Sequence, residues 1–274
     1  MDERQVKVSM TTVSNFKYID FKISDEIAFL TISREDKLNA LNGDLLNELK
    51  SCLKNCANEK YLGMILTGAG DKSFVAGADI SEMADMNPNQ AKEFGKLGQE
   101  VTCLFEDLSF PVIACVNGYA LGGGCELAMS ADWIYATNNA VFGQPEVKLG
   151  LIPGFGGTQR LTRLVGRNKA KEIIFTARNV KIEEAAKIGL VQAIFDDKQS
   201  MIEQAKKVLS KMGSLSPLAI QLSKESINEG ENENLNKALE IELNKFSDLF
   251  NSAEVREGTK AFLEKRAPSF RGKD

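Results

Sequence analysis

Asn117-Gly-Tyr-Ala-Leu-Gly-Gly-Gly-Cys-Glu126 stands between a strand signal and a helix signal. Upstream, residues 111–116 are a proline and an apolar run, the pattern of a buried strand. Downstream, a short helix starts near Gly124 and runs through Leu127, Ala128 and Met129. Gly122, Gly123 and Gly124 make the turn between them. Glycines permit positive φ and leave their N–H groups unobstructed. A helix start adds unpaired donors and a positive dipole end. Such a loop can hold a developing oxyanion; taken alone it reads rather as a tight turn with close packing, since glycine loops opening helices are common. Glu126 falls in the first helical turn, where an acid complements the dipole. On its own it reads as a surface acid of this kind, while its apolar neighbours Leu127, Ala128 and Met129 leave partial burial open.

A second carboxylate follows in Phe142-Gly-Gln-Pro-Glu146, where the proline favours an ordered loop. On its own Glu146 reads as a loop acid, but two carboxylates near glycine backbone can share one water and move its protons. The 274-residue chain contains no histidine, so acid–base chemistry falls to carboxylates, Lys, Tyr or Cys. Two further glycine segments flank this pair. Ser73-Phe-Val-Ala-Gly-Ala-Asp79-Ile is either a second source of a backbone donor or a surface turn. Pro153-Gly-Phe-Gly-Gly-Thr-Gln-Arg160 invites a dinucleotide reading, but it lacks the G-x-G-x-x-G spacing and a suitable βαβ context.

Further out, residues 27–32 and 64–67 read as strands, and 45–57 as a helix with Leu45, Leu46, Leu49, Leu53 and Cys56 at spacings of three and four. Residues 92–108 read as a helix, and 134–136 and 140–142 as short strands. Strands alternating with helices predict an α/β fold with a parallel sheet. Beyond residues 212–217 the pattern is helical only, over 218–228, 235–250 and 255–266. Leu235, Leu239, Leu243, Phe246, Leu249 and Phe250 form an apolar stripe there. The expected organisation is a tail over 1–16, an α/β core over 17–212 and a helical region over 213–274.

A net charge of −4 argues against non-specific nucleic-acid binding, though it leaves room for a local basic patch. The five cysteines, 52, 56, 103, 115 and 125, are odd in number and suggest a reducing compartment rather than a disulfide framework. Without His or further Cys at ligand spacing, no metal site is expected. No apolar run approaches the ~20 residues of a membrane span, and residues 1–7 have no apolar targeting core. A cytoplasmic protein without membrane or nucleic-acid partners is the expectation.

Taken together, the segments 73–80, 116–129, 142–146 and 151–161 resemble the enoyl-CoA hydratase/isomerase (crotonase) family, and the similarity runs on through Ala185-Ala-Lys-Ile-Gly-Leu-Val191 to Ala261-Phe-Leu-Glu-Lys-Arg266. It covers about residue 17 to the end and is strongest toward short-chain enoyl-CoA hydratases and 3-hydroxybutyryl-CoA dehydratases. The resemblance implies a crotonase-like α/β spiral of ββα units with a C-terminal helical trimerisation region. It implies reversible addition of water across a trans-2-enoyl-CoA, by a homotrimer or a dimer of trimers. Coenzyme A is then part of the substrate, and no separate cofactor is expected. By position, Ala78 and Gly123 match the two oxyanion-hole N–H donors, and Glu126 and Glu146 the catalytic glutamates, with the main proton transfer at Glu146. Lys37, Ala40, Ala76, Asp79 and Ile80 match coenzyme A contacts. Phe262 and Lys265 match residues that reach coenzyme A from a neighbouring subunit. Ser81 replaces a basic residue of some relatives. The presence of both glutamates favours hydration over isomerase or thioesterase chemistry on the same scaffold. Together with the acidic charge balance, it also argues against a non-catalytic acyl-CoA- or RNA-binding scaffold.

Overall fold

The computed structural model describes residues 11–12 and 16–271. The expected tail over 1–16 lies mostly outside them. The chain begins with β1 (Thr11–Thr12), β2 (Ile19–Ser24), β3 (Ile27–Ile32), α1 (Gly43–Cys56), β4 (Gly63–Gly68), β5 (Ser73–Val75), α2 (Ile80–Met83) and α3 (Pro88–Glu106). It continues with β6 (Val112–Val116), β7 (Tyr119–Leu121), α4 (Gly123–Met129), β8 (Trp133–Thr137), β9 (Val141–Gly143), α5 (Gly157–Val165) and α6 (Arg167–Thr176). The remainder is β10 (Val180–Lys181), α7 (Ile182–Lys187), β11 (Ala193–Phe195), α8 (Lys198–Met212), α9 (Pro217–Gly230), α10 (Leu235–Leu249) and α11 (Ala253–Leu263).

The strands form two sheets. The larger runs β1-β2-β3-β4-β6-β8-β11, parallel from β3 onward and antiparallel across β1, β2 and β3. The smaller runs β10-β9-β7-β5, with only β10 antiparallel. Three times the chain places one strand in the large sheet and the next in the small sheet, then adds a helix: β4-β5-α3, β6-β7-α4 and β8-β9-α5. These are the expected ββα units. The period-two geometry of strands divides β4 and β6 between two cores. Met64, Leu66, Val112, Ala114 and Val116 enter the main core with Leu45, Leu49 and Phe105, whereas Ile65, Ile113 and Cys115 pack under Met201, Ala205 and Leu209 of α8. Both faces are covered, which is why these strands read as unbroken apolar runs.

The turns that launch the small sheet are tied together by Asn117 of the motif quoted first. Its fully buried amide donates to the carbonyls of Gly68 and Gly70, at 3.1 and 2.6 Å, and accepts from the Gly68 N–H at 3.2 Å. The strand and helix signals fall within a residue or two of the observed elements at all but two ends. The last signal, to residue 266, overruns the end of α11 at Leu263 by three residues. Helix α3 begins four residues before the predicted start, because Asn87 and Gln90 form a capping box around Pro88. Residues 157–212 carried no recognised periodicity yet hold α5 to α8; α8 buries only Met201, Ala205 and Leu209, a face too narrow to stand out. Thr11–Thr12, inside the expected tail, add an edge strand to β2. At the other end α9 docks through Lys224, whose ammonium reaches Asp132 at 3.0 Å and the carbonyls of Phe105 and Phe110.

Candidate active site

The Ser73–Val75 segment is a buried strand rather than a surface turn. The chain after it lies beside residues 38–41: the Leu41 N–H donates to the Gly77 carbonyl, and the Asp79 N–H donates to Leu41. Pairing on both sides of Ala78 turns its own N–H to the opposite side. Gly123 opens α4, so its N–H is one of the helix's unpaired donors. Gly122 caps that helix at φ 51°, a conformation that favours glycine, and a Cβ there would meet a Glu146 carboxylate oxygen at 2.8 Å. Ala78 and Gly123 line one cavity of about 410 Å³ together with Glu126 and Glu146. The opposite part of its wall is apolar, with Met83, Phe94, Leu149, Leu151 and Ile152.

Glu126 is 1% exposed, so the first-turn acid is not a surface residue. One of its oxygens accepts the N–H groups of Phe155 and Gly157, at 2.8 and 2.6 Å. Burial raises the pKa of this carboxyl, while those two donors and the Arg160 charge favour the anion. Glu146 begins the 3-10 turn Glu146–Leu149 behind Pro145 and is half-buried. Burial pushes its pKa up to about 7; its own N–H opposes the rise and the Glu126 charge adds to it. Fully buried Gln144 supports it. With its amide nitrogen toward the carboxylate, the orientation that satisfies both groups, it donates to the two Glu146 oxygens at 3.0 and 3.2 Å.

Of the expected coenzyme A contacts, Ala76 and Ile80 line the cavity, whereas Lys37, Ala40, Asp79, Phe262 and Lys265 do not. Asp79 caps α2 and pairs with Arg34 at 2.8 Å; the Ser81 hydroxyl and then Arg34 hold its carboxyl below the ordinary carboxylate value. Ser81 therefore serves this cap. Lys37 ends the turn Glu35–Lys37, and the Ala40 carbonyl accepts from Arg34 at 3.0 Å. Phe262 near the end of α11 is 83% exposed, and Lys265 follows that helix at φ 55°. Sequence reasoning missed Gln144 and the donor role of residues 153–157. The segment reads as a rejected dinucleotide loop and as part of the family resemblance, and backbone donors leave no side-chain signature.

Two carboxyls in different environments and two free backbone donors facing one apolar cavity define a site for acid–base chemistry at a polarised carbonyl. Residues 22–273 match the enoyl-CoA hydratase/isomerase family. The chain is 50% identical over 242 residues to a short-chain-enoyl-CoA hydratase of Clostridium acetobutylicum, covering 88% of this chain and 92% of that one. It is 45% identical over 256 residues to a crotonyl-CoA hydratase of Syntrophomonas wolfei, covering 93% and 98%. A crystal structure of enoyl-CoA hydratase from Bacillus anthracis superposes with a TM-score of 0.88 at 37% identity, over 94% of this chain and all of that one. The chain belongs to the enoyl-CoA hydratase/isomerase family.

Proposed function

We propose that this protein catalyses the reversible hydration of short trans-2-enoyl-CoA thioesters, such as crotonyl-CoA, to 3-hydroxyacyl-CoA. The reading is carried by two carboxyls held differently over one cavity. One Glu126 oxygen accepts two backbone N–H groups, and burial pushes the Glu146 carboxyl up to about 7. With the thioester oxygen on the N–H groups of Ala78 and Gly123, enolate charge is stabilised by donors already in place. Glu126 takes a proton from water as its oxygen bonds to C3, and Glu146 delivers a proton to C2. The two glutamates then exchange protons with each other or with solvent to restore the starting state. Backbone donors do the activation, so the reading needs no metal or redox cofactor; coenzyme A enters as part of the substrate.

In this reading Ala76 and Ile80 of the cavity wall contact coenzyme A, together with Lys37, Ala40 and Asp79 outside that wall. Phe262 and Lys265, which do not line it, contact coenzyme A held by a neighbouring subunit. Residues 213–274 then serve assembly into a trimer or a dimer of trimers, supported by the exposed apolar stripe of α10. Among the described residues no helix is long and apolar enough to cross a membrane. The free cysteines support a reducing, cytoplasmic setting. Loss of the enoyl-thioester absorbance on adding enzyme to crotonyl-CoA is the expected result. A chain that binds crotonyl-CoA without consuming it would defeat the hydratase reading.

A further inference from the structure

We propose that Gln99, Thr102 and Arg160 are positioning residues that hold backbone 154–157 against Glu126 and thereby keep Glu126 ready as the base. The inference rests on the reading of Glu126 given above. The peptide groups of this segment face two ways. The N–H groups of Phe155 and Gly157 point inward to one Glu126 oxygen. The carbonyls of Gly154 and Phe155 accept instead from side-chain donors. The Gly154 carbonyl accepts from the Gln99 amide at 2.9 Å. The Phe155 carbonyl accepts from the Arg160 guanidinium at 3.0 Å and from the Thr102 hydroxyl at 3.1 Å. The Gly154 carbonyl shares its peptide group with the inward Phe155 N–H, so the Gln99 bond polarises that donor directly. The Phe155 carbonyl belongs to the peptide between the two donor groups, so Thr102 and Arg160 fix the orientation of both from the middle.

The frame is itself held. Glu106 of α3 takes the Arg160 guanidinium with both oxygens, at 2.6 and 2.8 Å. Gly156 makes room for it: at φ 110°, a Cβ there would lie 2.2 Å from the guanidinium nitrogen. The Phe155 ring is wedged between two helices at glycines. A Cβ on Gly98 of α3 would meet it at 2.1 Å, and one on Gly123 of α4 at 3.1 Å. One segment therefore touches the base, the oxyanion donor and the helix that carries Gln99, Thr102 and Glu106. A carboxylate gripped by N–H donors loses proton affinity, so loosening the frame raises that affinity. The charged and titratable groups around Glu126 are Arg160 on α5, Glu106 and Cys103 of α3 beside that guanidinium, and Glu146 across the cavity. Cys125 lies next to it, with a thiol that burial pushes up to about 12 and that stays neutral through the working range.

The test is the pH dependence of kcat/KM for crotonyl-CoA hydration, which reports the free enzyme's acid and base, in wild type, Gln99→Leu, Thr102→Val and Thr102→Ser. Gln99 is exposed, so its substitution leaves the core intact. Gln99→Leu and Thr102→Val should move the acidic limb to higher pH by about half a unit or more. KM at the plateau should stay within about twofold, because coenzyme A is bound elsewhere. Thr102→Ser, which keeps the hydroxyl, should track wild type. A wild-type limb that stays put in both Gln99→Leu and Thr102→Val, with activity reduced equally at every pH, overturns the inference and leaves the role of Glu126 standing. A wild-type profile without an acidic limb overturns both.

Discussion

At the scale of single residues, the two glutamates have different tasks because their surroundings differ. Glu146→Gln should lower kcat by about 10²–10⁴-fold, the usual worth of a general acid or base. Steady-state hydration of crotonyl-CoA measures it, and a kcat within threefold of wild type would remove Glu146 from the mechanism. Glu126→Gln should lose a comparable amount, and the double variant should be far less than the product of the two, since both act on one water. Glu146 also makes a stability prediction. Its pKa in the folded protein, about 7, lies above the ordinary carboxylate value of the unfolded chain. Between those values the native state binds more protons than the unfolded state, so stability falls as pH rises. Glu146→Gln, which never ionises, should therefore match wild type near pH 4 and exceed it by roughly 1–3 kcal/mol above pH 8. Urea unfolding at the two pH values measures this, and an equal difference at both would contradict the burial of Glu146.

At the scale of elements, glycines decide where helices meet strands and substrate. Gly124 places the first turn of α4 on β5, where an added Cβ would come within 2.0 Å of the Val75 carbonyl oxygen. Backbone cannot step aside as a side chain can, so Gly124→Ala should cost about 1–3 kcal/mol or more; an unchanged unfolding midpoint would show that the contact yields freely. Gly95 in α3 is the opposite case. A Cβ there finds nothing nearer than the Gly154 carbonyl oxygen at 3.9 Å, and the position opens on the apolar part of the cavity. Gly95→Leu should fill space that a longer acyl tail needs while improving helix propensity by about 0.5–1 kcal/mol. Rates on crotonyl-CoA should hold within a few fold, and those on eight- and ten-carbon enoyl-CoA should fall further. A uniform loss across chain lengths would show that the acyl tail does not pass Gly95.

At the scale of the whole molecule, the helices after residue 212 leave apolar surface uncovered. On α10 and its C-terminal cap, Leu235, Leu243, Phe246 and Phe250 are 58–73% exposed, a contiguous stripe of the kind that marks an association surface. Sedimentation at micromolar concentration should report a trimer or a dimer of trimers. Leu243→Glu combined with Phe246→Glu should shift the protein toward monomer, because charges facing a desolvated interface lack partners. A wild-type monomer would defeat the assembly reading. Wild-type mass in the double variant would place the interface elsewhere.

By itself the sequence determined the alternation of strands and helices, the glycine turn that opens α4, and the carboxylates present for chemistry. These are local properties: periodicity, turn residues and residue type are all written within a few positions. The motifs at 73–80, 116–129 and 142–146 also located Ala78, Gly123, Glu126 and Glu146, which the fold brings to one cavity. Only the tertiary structure decided that Glu126 is buried, that residues 153–157 serve it with N–H groups, and that Gln144 turns its amide to Glu146. It also decided that burial raises the proton affinity of both carboxyls while hydrogen bonds oppose the rise, a balance set by groups far apart in the chain. A backbone N–H is the same at every non-proline position, so a sequence carries no mark of the two that hold Glu126. They become visible only when α3, α4 and α5 are packed around them.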